Sequence, residues 1–185
     1  MRIRTTCRTQ GGLTLVELMV GVALLAAVLQ LALPSLAAML TSAAVRTAAE
    51  QLLADLHLAR AAAASRNVRV ALCRSVDGAT CGGASGWQDG WLVFEDANND
   101  GVREQGEPLI ARRAALGSGL RIQANQPLQD YISYDGFGFA RRTNGAFQAG
   151  TLTVCRQSDE AAETREVILN ALGRPRMQRG TAPAC

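Results

Sequence analysis

Two stretches carry residue types whose spacing could do chemistry. The first is Asp96-Ala97-Asn98-Asn99-Asp100-Gly101, closed after five intervening residues by Glu107. Oxygen donors at alternate positions, a Gly at the turn and a distant Glu fit the pattern of a calcium-binding loop. The flanks fit it badly, because a strand-forming run, Trp91 to Glu95, stands where a helix is needed, and Pro108 follows. An Asx-rich hairpin turn, its carboxylates accepting backbone amides, uses the same residues. The turn is therefore expected, with Asp96, Asn98, Asp100 and Glu107 as the metal alternative, and no cofactor is expected. The second stretch is Gly173-Arg174-Pro175-Arg176 with Arg179: from Asn170 to Cys185 there are three arginines and no acid. The planar guanidinium fork suits phosphate, so the cluster could be a nucleic-acid footprint, although a solvated basic tail has the same composition. Arg141 and Arg142, beside Phe137 and Phe139 in a Gly-rich segment, form a secondary basic spot.

Composition removes several chemistries. All 19 basic residues are Arg, so Schiff-base, P-loop and kinase-type lysines are excluded. The single His, His57, lies in a helical pattern with no partner placed near it for a triad. The chain is not expected to be an enzyme.

The elements that must position these residues follow from periodicity. Arg2, Arg4 and Arg8 precede Leu18 to Leu40, which runs 23 residues without a charge. About 20 apolar residues of helix cross a bilayer core, and basic residues before them orient the chain N-in, C-out. Glu17 at the head of this run needs a partner or a place at the headgroup boundary. Beyond it, Val45, Ala49, Leu52, Leu56 and Ala63 recur at helical spacing, with Arg46, Glu50, Asp55, Arg60 and Arg66 expected on the surface. After Arg66 the period shifts towards two. Strands are expected at 68–73, 90–95, 108–113, 120–124, 131–134, 137–140, 151–156 and 166–170, separated by Gly, Asn and Asp clusters that favour hairpins. Trp91 and Phe94 should face opposite sides of one strand, with one mainly in the core and the other against the helix or partly exposed. The fold class is then α+β: a long N-terminal helix packed on antiparallel sheet.

Gly11-Gly12-Leu13-Thr14-Leu15-Val16-Glu17 closely resembles the leader junction of type IV pilins and type II secretion pseudopilins, with Leu13 where Phe is commoner. The resemblance implies that a prepilin peptidase cuts between Gly12 and Leu13 and methylates the new amine of Leu13. It gives Glu17 a partner, the cationic N-terminus of a neighbouring subunit in the filament core. By the same resemblance Pro34 falls where pilin helices often kink. Gly86 to Gly101, with Gly106-Glu107-Pro108-Leu109, resembles the signature hairpin of the FimT/GspH group of minor pilins and pseudopilins. In FimT-like pilins a Gly-Arg-x-Arg motif after the last strand contributes DNA binding, and Gly173, Arg174 and Arg176 match it.

The resemblance implies an organisation of leader 1–12, apolar membrane and filament-core helix 13–40, amphipathic continuation 41–66, β domain 67–172 and basic C-terminal tail 173–185. It places the chain in the inner membrane as a single-pass protein with a periplasmic C-terminal domain, and then in a pilus or pseudopilus beside other pilins. Removing the leader takes Arg2, Arg4 and Arg8 and leaves 16 arginines against 16 acids, so the +3 of the whole chain is a targeting signal. It also removes Cys7. Cys73, Cys81, Cys155 and Cys185 then sit in an oxidising compartment, where four thiols admit three pairings. Local closure favours Cys73 with Cys81 and Cys155 with Cys185. Two functions remain: a minor type IV pilin that binds DNA without sequence preference for uptake in natural transformation, or an H-type minor pseudopilin of a type II secretion system without DNA binding.

Overall fold

The computed structural model describes residue 12, residues 14–157 and residues 163–180, without the side chains at 31, 32, 34, 37 and 38. The chain divides into two compact units, 1–40 and 41–185. One helix, α1 (Leu15–Arg66), supplies the described part of the first unit and enters the second. It begins with a capping box: the Thr14 hydroxyl accepts the Glu17 amide at 3.3 Å, and the Glu17 carboxylate accepts the Thr14 amide at 2.9 Å. In the first unit the described large apolar side chains are exposed, from Leu15 at 75% to Leu29 at 46%. The helix continues through Pro34. Among the described residues, no helix is long and apolar enough to cross a membrane.

The second unit holds two antiparallel sheets. β1 (Val70–Arg74), β2 (Trp91–Glu95), β3 (Leu109–Arg113) and β5 (Tyr131–Tyr134) form the first, in the order β3-β2-β1-β5. β4 (Leu120–Ala124), β6 (Gly150–Arg156), β7 (Arg165–Leu169) and β8 (Pro175–Arg179) form the second, in the order β4-β6-β7-β8. The expected helical stripe is the core: Val45, Ala49, Leu52, Leu56 and Ala63 are all buried, joined by Ala48, Ala59 and Ala62. They pack on Val70, Leu72, Trp91, Val93, Ile132 and Tyr134 of one sheet and Ile122, Leu152, Val154, Val167 and Leu169 of the other.

Three expectations are corrected. Asp55 is buried, not on the surface. Its carboxylate takes two bonds of 2.8 Å from the Arg113 guanidinium and one of 2.9 Å from Trp91 Nε1. A charge buried among apolar neighbours is tolerable only with such full pairing, and this one ties α1 to β2 and β3. Second, 137–139 is a turn that returns to β5 at Ala140, bridged to Tyr134, because Gly138 takes φ 77° and the Asp135 carboxylate accepts the amides of Phe137 and Phe139. Third, part of the expected tail is a strand, β8, paired residue for residue with β7 from Leu169↔Pro175 to Arg165↔Arg179. Proline at the start of an edge strand breaks no ladder bond, so the run is sheet despite its charge. Trp91 and Phe94 do face opposite sides of β2: Trp91 lies against α1, bonded to Asp55, and Phe94 is buried on the other side.

Phe94 belongs to a second, smaller core of Ala71, Cys73, Leu92 and Phe94 on the outer face of the first sheet. Two loops cover it. One is closed by a disulfide between Cys73 and Cys81. The other, 96–107, is held to it by Arg103, whose amide contacts Cys81 Sγ at 3.0 Å and whose guanidinium donates to the Ala79 carbonyl at 2.7 Å.

Candidate functional site

The calcium-like loop serves itself. The two oxygens of Asp96 accept the amides of Asp100 and Gly101, each at 3.1 Å, and those of Glu107 accept the amides of Ala97 and Glu104 at 2.8 and 3.0 Å. Asn98 donates to Asp100 at 3.0 Å. Burial pushes the Asp96 carboxyl above its ordinary range, with the charges of Glu107 and Asp100 adding to it and the two amides opposing. The oxygens thus point at loop amides, the geometry of an Asx turn. Among the described residues, no group of three His, Cys, Asp or Glu could hold a metal ion. Gly101 is required by packing as well as by its φ of 76°: a Cβ there would lie 2.8 Å from the Tyr131 ring.

The basic hairpin is built differently. β7 ends at Leu169, and Asn170 organises the turn, its side-chain oxygen accepting the amides of Leu172 and Arg174 at 3.0 and 2.9 Å. Gly173 then takes φ 73°, and a Cβ there would lie 2.6 Å from the Gly138 carbonyl and 2.7 Å from the Ala140 amide. The turn therefore sits directly against backbone 138–140, the segment that leads into Arg141 and Arg142. Proximity of these two arginine pairs follows from the fold and had no signal in the sequence.

Arg174 closes the turn just before the edge strand β8 and Arg176 lies on it, two residues apart and both exposed. Arg176 donates to Gln178 at 2.7 Å, and Gln178 donates to Glu166 at 2.9 Å. Arg179 has the opposite parity and lies 3.7 Å from Glu163, away from that pair. Glu163 also accepts from Ser42 and Arg165, bonds that hold its carboxyl below the ordinary range, led by that from Ser42. Arg141 is committed inward: it bonds the Asp135 carboxylate and the Gly145 carbonyl, each at 3.0 Å, and stacks 4.7 Å from the Phe147 ring and 5.8 Å from that of Phe139. Among the described residues, the guanidinium groups of Arg112, Arg142 and Arg174 make no hydrogen bond or ion pair. Two of these three flank the contact at Gly173; Arg112 lies on β3.

The remaining expected sites are placed as follows. Gly12 is exposed, while Leu13 and residues 1–11 of the leader lie outside the described residues. Glu17 spends its carboxylate on Thr14. Cys155 is disulfide-bonded, and the expected partner, Cys185, lies outside the described residues. His57 is exposed on α1.

Comparison with known proteins agrees with this geometry. The family model described as type II transport protein GspH matches residues 48–173, and the prokaryotic N-terminal methylation motif matches residues 7–29. No curated protein matches the sequence. Among solved structures, the type IV minor pilin FimU of Pseudomonas aeruginosa superposes with a TM-score of 0.56 at 16% identity, covering 75% of this chain and 93% of that one. A second crystal form of FimU gives 0.51 at 17% identity, covering 74% and 98%. The minor pseudopilin EpsH of the Vibrio cholerae type 2 secretion system gives 0.52 at 14% identity, covering 75% and 98%. These likenesses carry the fold: an N-terminal helix on antiparallel sheets. Pilins and pseudopilins of this fold are structural proteins and not enzymes. With the GspH model covering most of the chain and the methylation motif at its head, the protein belongs to the GspH family, as a minor pilin or pseudopilin of the GspH/FimT kind.

Proposed function

We propose that this chain is a minor type IV pilin that holds DNA, without reading its sequence, on the β7–β8 hairpin during uptake in natural transformation. The observation that carries the reading is the pair Arg174 and Arg176, both exposed where the turn enters an edge strand, with Arg174 unpaired among the described residues. Arginine forks whose charge is not spent inside the fold are available for phosphate, and phosphate contacts position a protein without specifying bases. Arg142 extends the surface across the Gly173 contact, whereas Arg179, of opposite parity and beside Glu163, lies off it. In this reading the leader 1–12 is removed by a prepilin peptidase, Leu13 is methylated, and residues 13–40 anchor the chain in the inner membrane before packing in the filament core. Glu17 then exchanges its Thr14 partner for the methylated amine of a neighbouring pilin. In this reading the disulfide-bonded Cys155 pairs with Cys185.

The test is a gel-shift series across salt with the full chain in detergent. Replacing Arg174 and Arg176 together by Gln should weaken binding to all duplexes alike and lower the salt slope by about two. Unchanged affinity in the double variant would remove the site. The family description favours a second reading, an H-type minor pseudopilin of a type II secretion system, and a parent protein with no affinity for DNA would select it.

A further inference from the structure

The chain is poor in aromatics, yet three of its four phenylalanines, Phe137, Phe139 and Phe147, fall within eleven residues of one another. They are not there for the core. Phe137 is 81% exposed and Phe147 is 55% exposed. Burying a Phe is worth about 1.5–3 kcal/mol, so a fold that leaves two of them largely in water forgoes most of that gain. Nor is Phe137 exposed by a loose loop. The Asp135 carboxylate accepts its amide at 3.0 Å and that of Phe139 at 2.9 Å, and Arg60 Nε holds the Gly138 carbonyl at 3.0 Å. Phe147 is steadied by Arg141, stacked 4.7 Å from its ring while bonded to Asp135.

The segment that carries these rings meets the turn that carries Arg174. Gly173, next to Arg174, packs on Gly138, next to Phe137, and Arg142 follows the stacked Arg141. The charge on both segments has one sign: Gly136 to Gln157 contains no acid, and neither does Val167 to Cys185. Exposed rings held rigid among unpaired arginines match single-stranded nucleic acid, whose bases stack on aromatic faces while its phosphates meet the cations. A duplex hides its base faces and can use only the arginines. A neighbouring protein subunit would meet the rings without needing acid-free flanks.

Building on the DNA reading, we propose that Phe137 and Phe147 form a stacking platform that makes this surface prefer single-stranded DNA over duplex. The arginines supply affinity for any DNA, and the rings supply the preference for unpaired bases.

The experiment compares three probes by fluorescence anisotropy, using the full chain in detergent: a short oligothymidine, an abasic strand of equal length and charge, and a duplex. Oligothymidine should bind about tenfold more tightly than the abasic strand, as expected for one stacked base. Phe137→Ala and Phe147→Ala should each remove most of that advantage and leave abasic and duplex binding unchanged. Phe137 is too exposed for its loss to unfold the domain, so that variant serves when Phe147→Ala folds poorly. Arg174→Gln should weaken all three probes alike. Equal affinity for oligothymidine and the abasic strand would overturn the platform and leave the DNA reading standing. No binding of any probe would overturn the DNA reading itself. If Phe137→Ala left all three affinities intact but reduced cross-linking to neighbouring pilins, the rings would be a subunit contact and the proposal would fail.

Discussion

The two sheets of the globular unit are dressed differently. In the first, β1 and β2 are buried on both faces: α1 covers one and the loops 75–83 and 96–107 cover the other, over Ala71, Cys73, Leu92 and Phe94. In the second, β7 alternates buried with half-exposed residues and β8 is mostly exposed, because only the face towards α1 is covered. Arginines follow the same division. Arg103 is spent on stapling the cover and Arg113 on the buried Asp55, with Arg112 on β3 the exception, whereas Arg174 stands at the entry to the uncovered sheet and Arg176 on it. The sheet closed on both sides is structural, and the one with a bare polar face is where a partner can be met.

The largest way to break this contrast is to uncover the first sheet. Cys81→Ser opens a disulfide whose cysteines are eight residues apart, and closing so short a loop stabilises by about 2.5 kcal/mol in the chain-entropy model. Because Arg103 docks on Cys81, the 96–107 loop should loosen with it. Chemical denaturation should show the lowered midpoint, and hydrogen exchange should show lost protection in β1 and β2 but not in β7. Equal loss in both sheets would mean that the loops are not an independent cover.

A smaller change tests the open sheet. Gly173→Ala keeps every arginine but places a Cβ 2.6 Å from the Gly138 carbonyl at φ 73°. Non-glycine residues held in that region cost about 1–3 kcal/mol, and here the clash with backbone must also be relieved. The turn should swing away from 138–140, parting Arg174 from Arg142. The expected outcome is a stability loss of about 2 kcal/mol together with weaker DNA binding, measured by calorimetry and by gel shift on the same preparation. Normal DNA affinity in a destabilised variant would show that the 138–142 segment adds nothing to the surface.

What could be read beforehand divides along the same line. The apolar stripe Val45 to Ala63 was legible because its helical spacing admits one buried face. The strands 120–124 and 131–134 were legible because apolar and polar residues alternate between turn signals. Asp55 was misplaced although a signal existed: it follows Leu52 by three residues and precedes Ala59 by four, which sets it in the stripe. Its partners Trp91 and Arg113 are far along the chain, so only the fold reveals why a carboxylate is tolerated there. Strand β8 was hidden by Pro175 and its arginines, which suit an edge strand and a tail equally. At the candidate site the arginines themselves were visible, but the contact of Gly173 with Gly138 joins residues 35 apart and leaves no periodic trace.

The smallest predicted effect is a pH dependence that separates the cover loop from its neighbour. Asp96, in the cover of the first sheet, has its carboxyl pushed up, chiefly by burial. Asp89, at the turn before β2, has its carboxyl pulled down, chiefly by the Ser85 hydroxyl, with the Ser85 and Gly86 amides adding. For Asp96 the folded value exceeds the unfolded one, so its favourable contribution is complete below the ordinary carboxylate range. That contribution is lost as pH rises through the raised value. For Asp89 the order is reversed, so its contribution is present above the ordinary range and lost as pH falls through the lowered value. Carboxyl carbon NMR should therefore find Asp96 titrating later than Asp89 on raising the pH. Because two amides point at Asp96, a midpoint at or under the ordinary carboxylate value would mean that they outweigh burial. The loop would then be held by its ionised carboxylate and should tighten with rising pH instead.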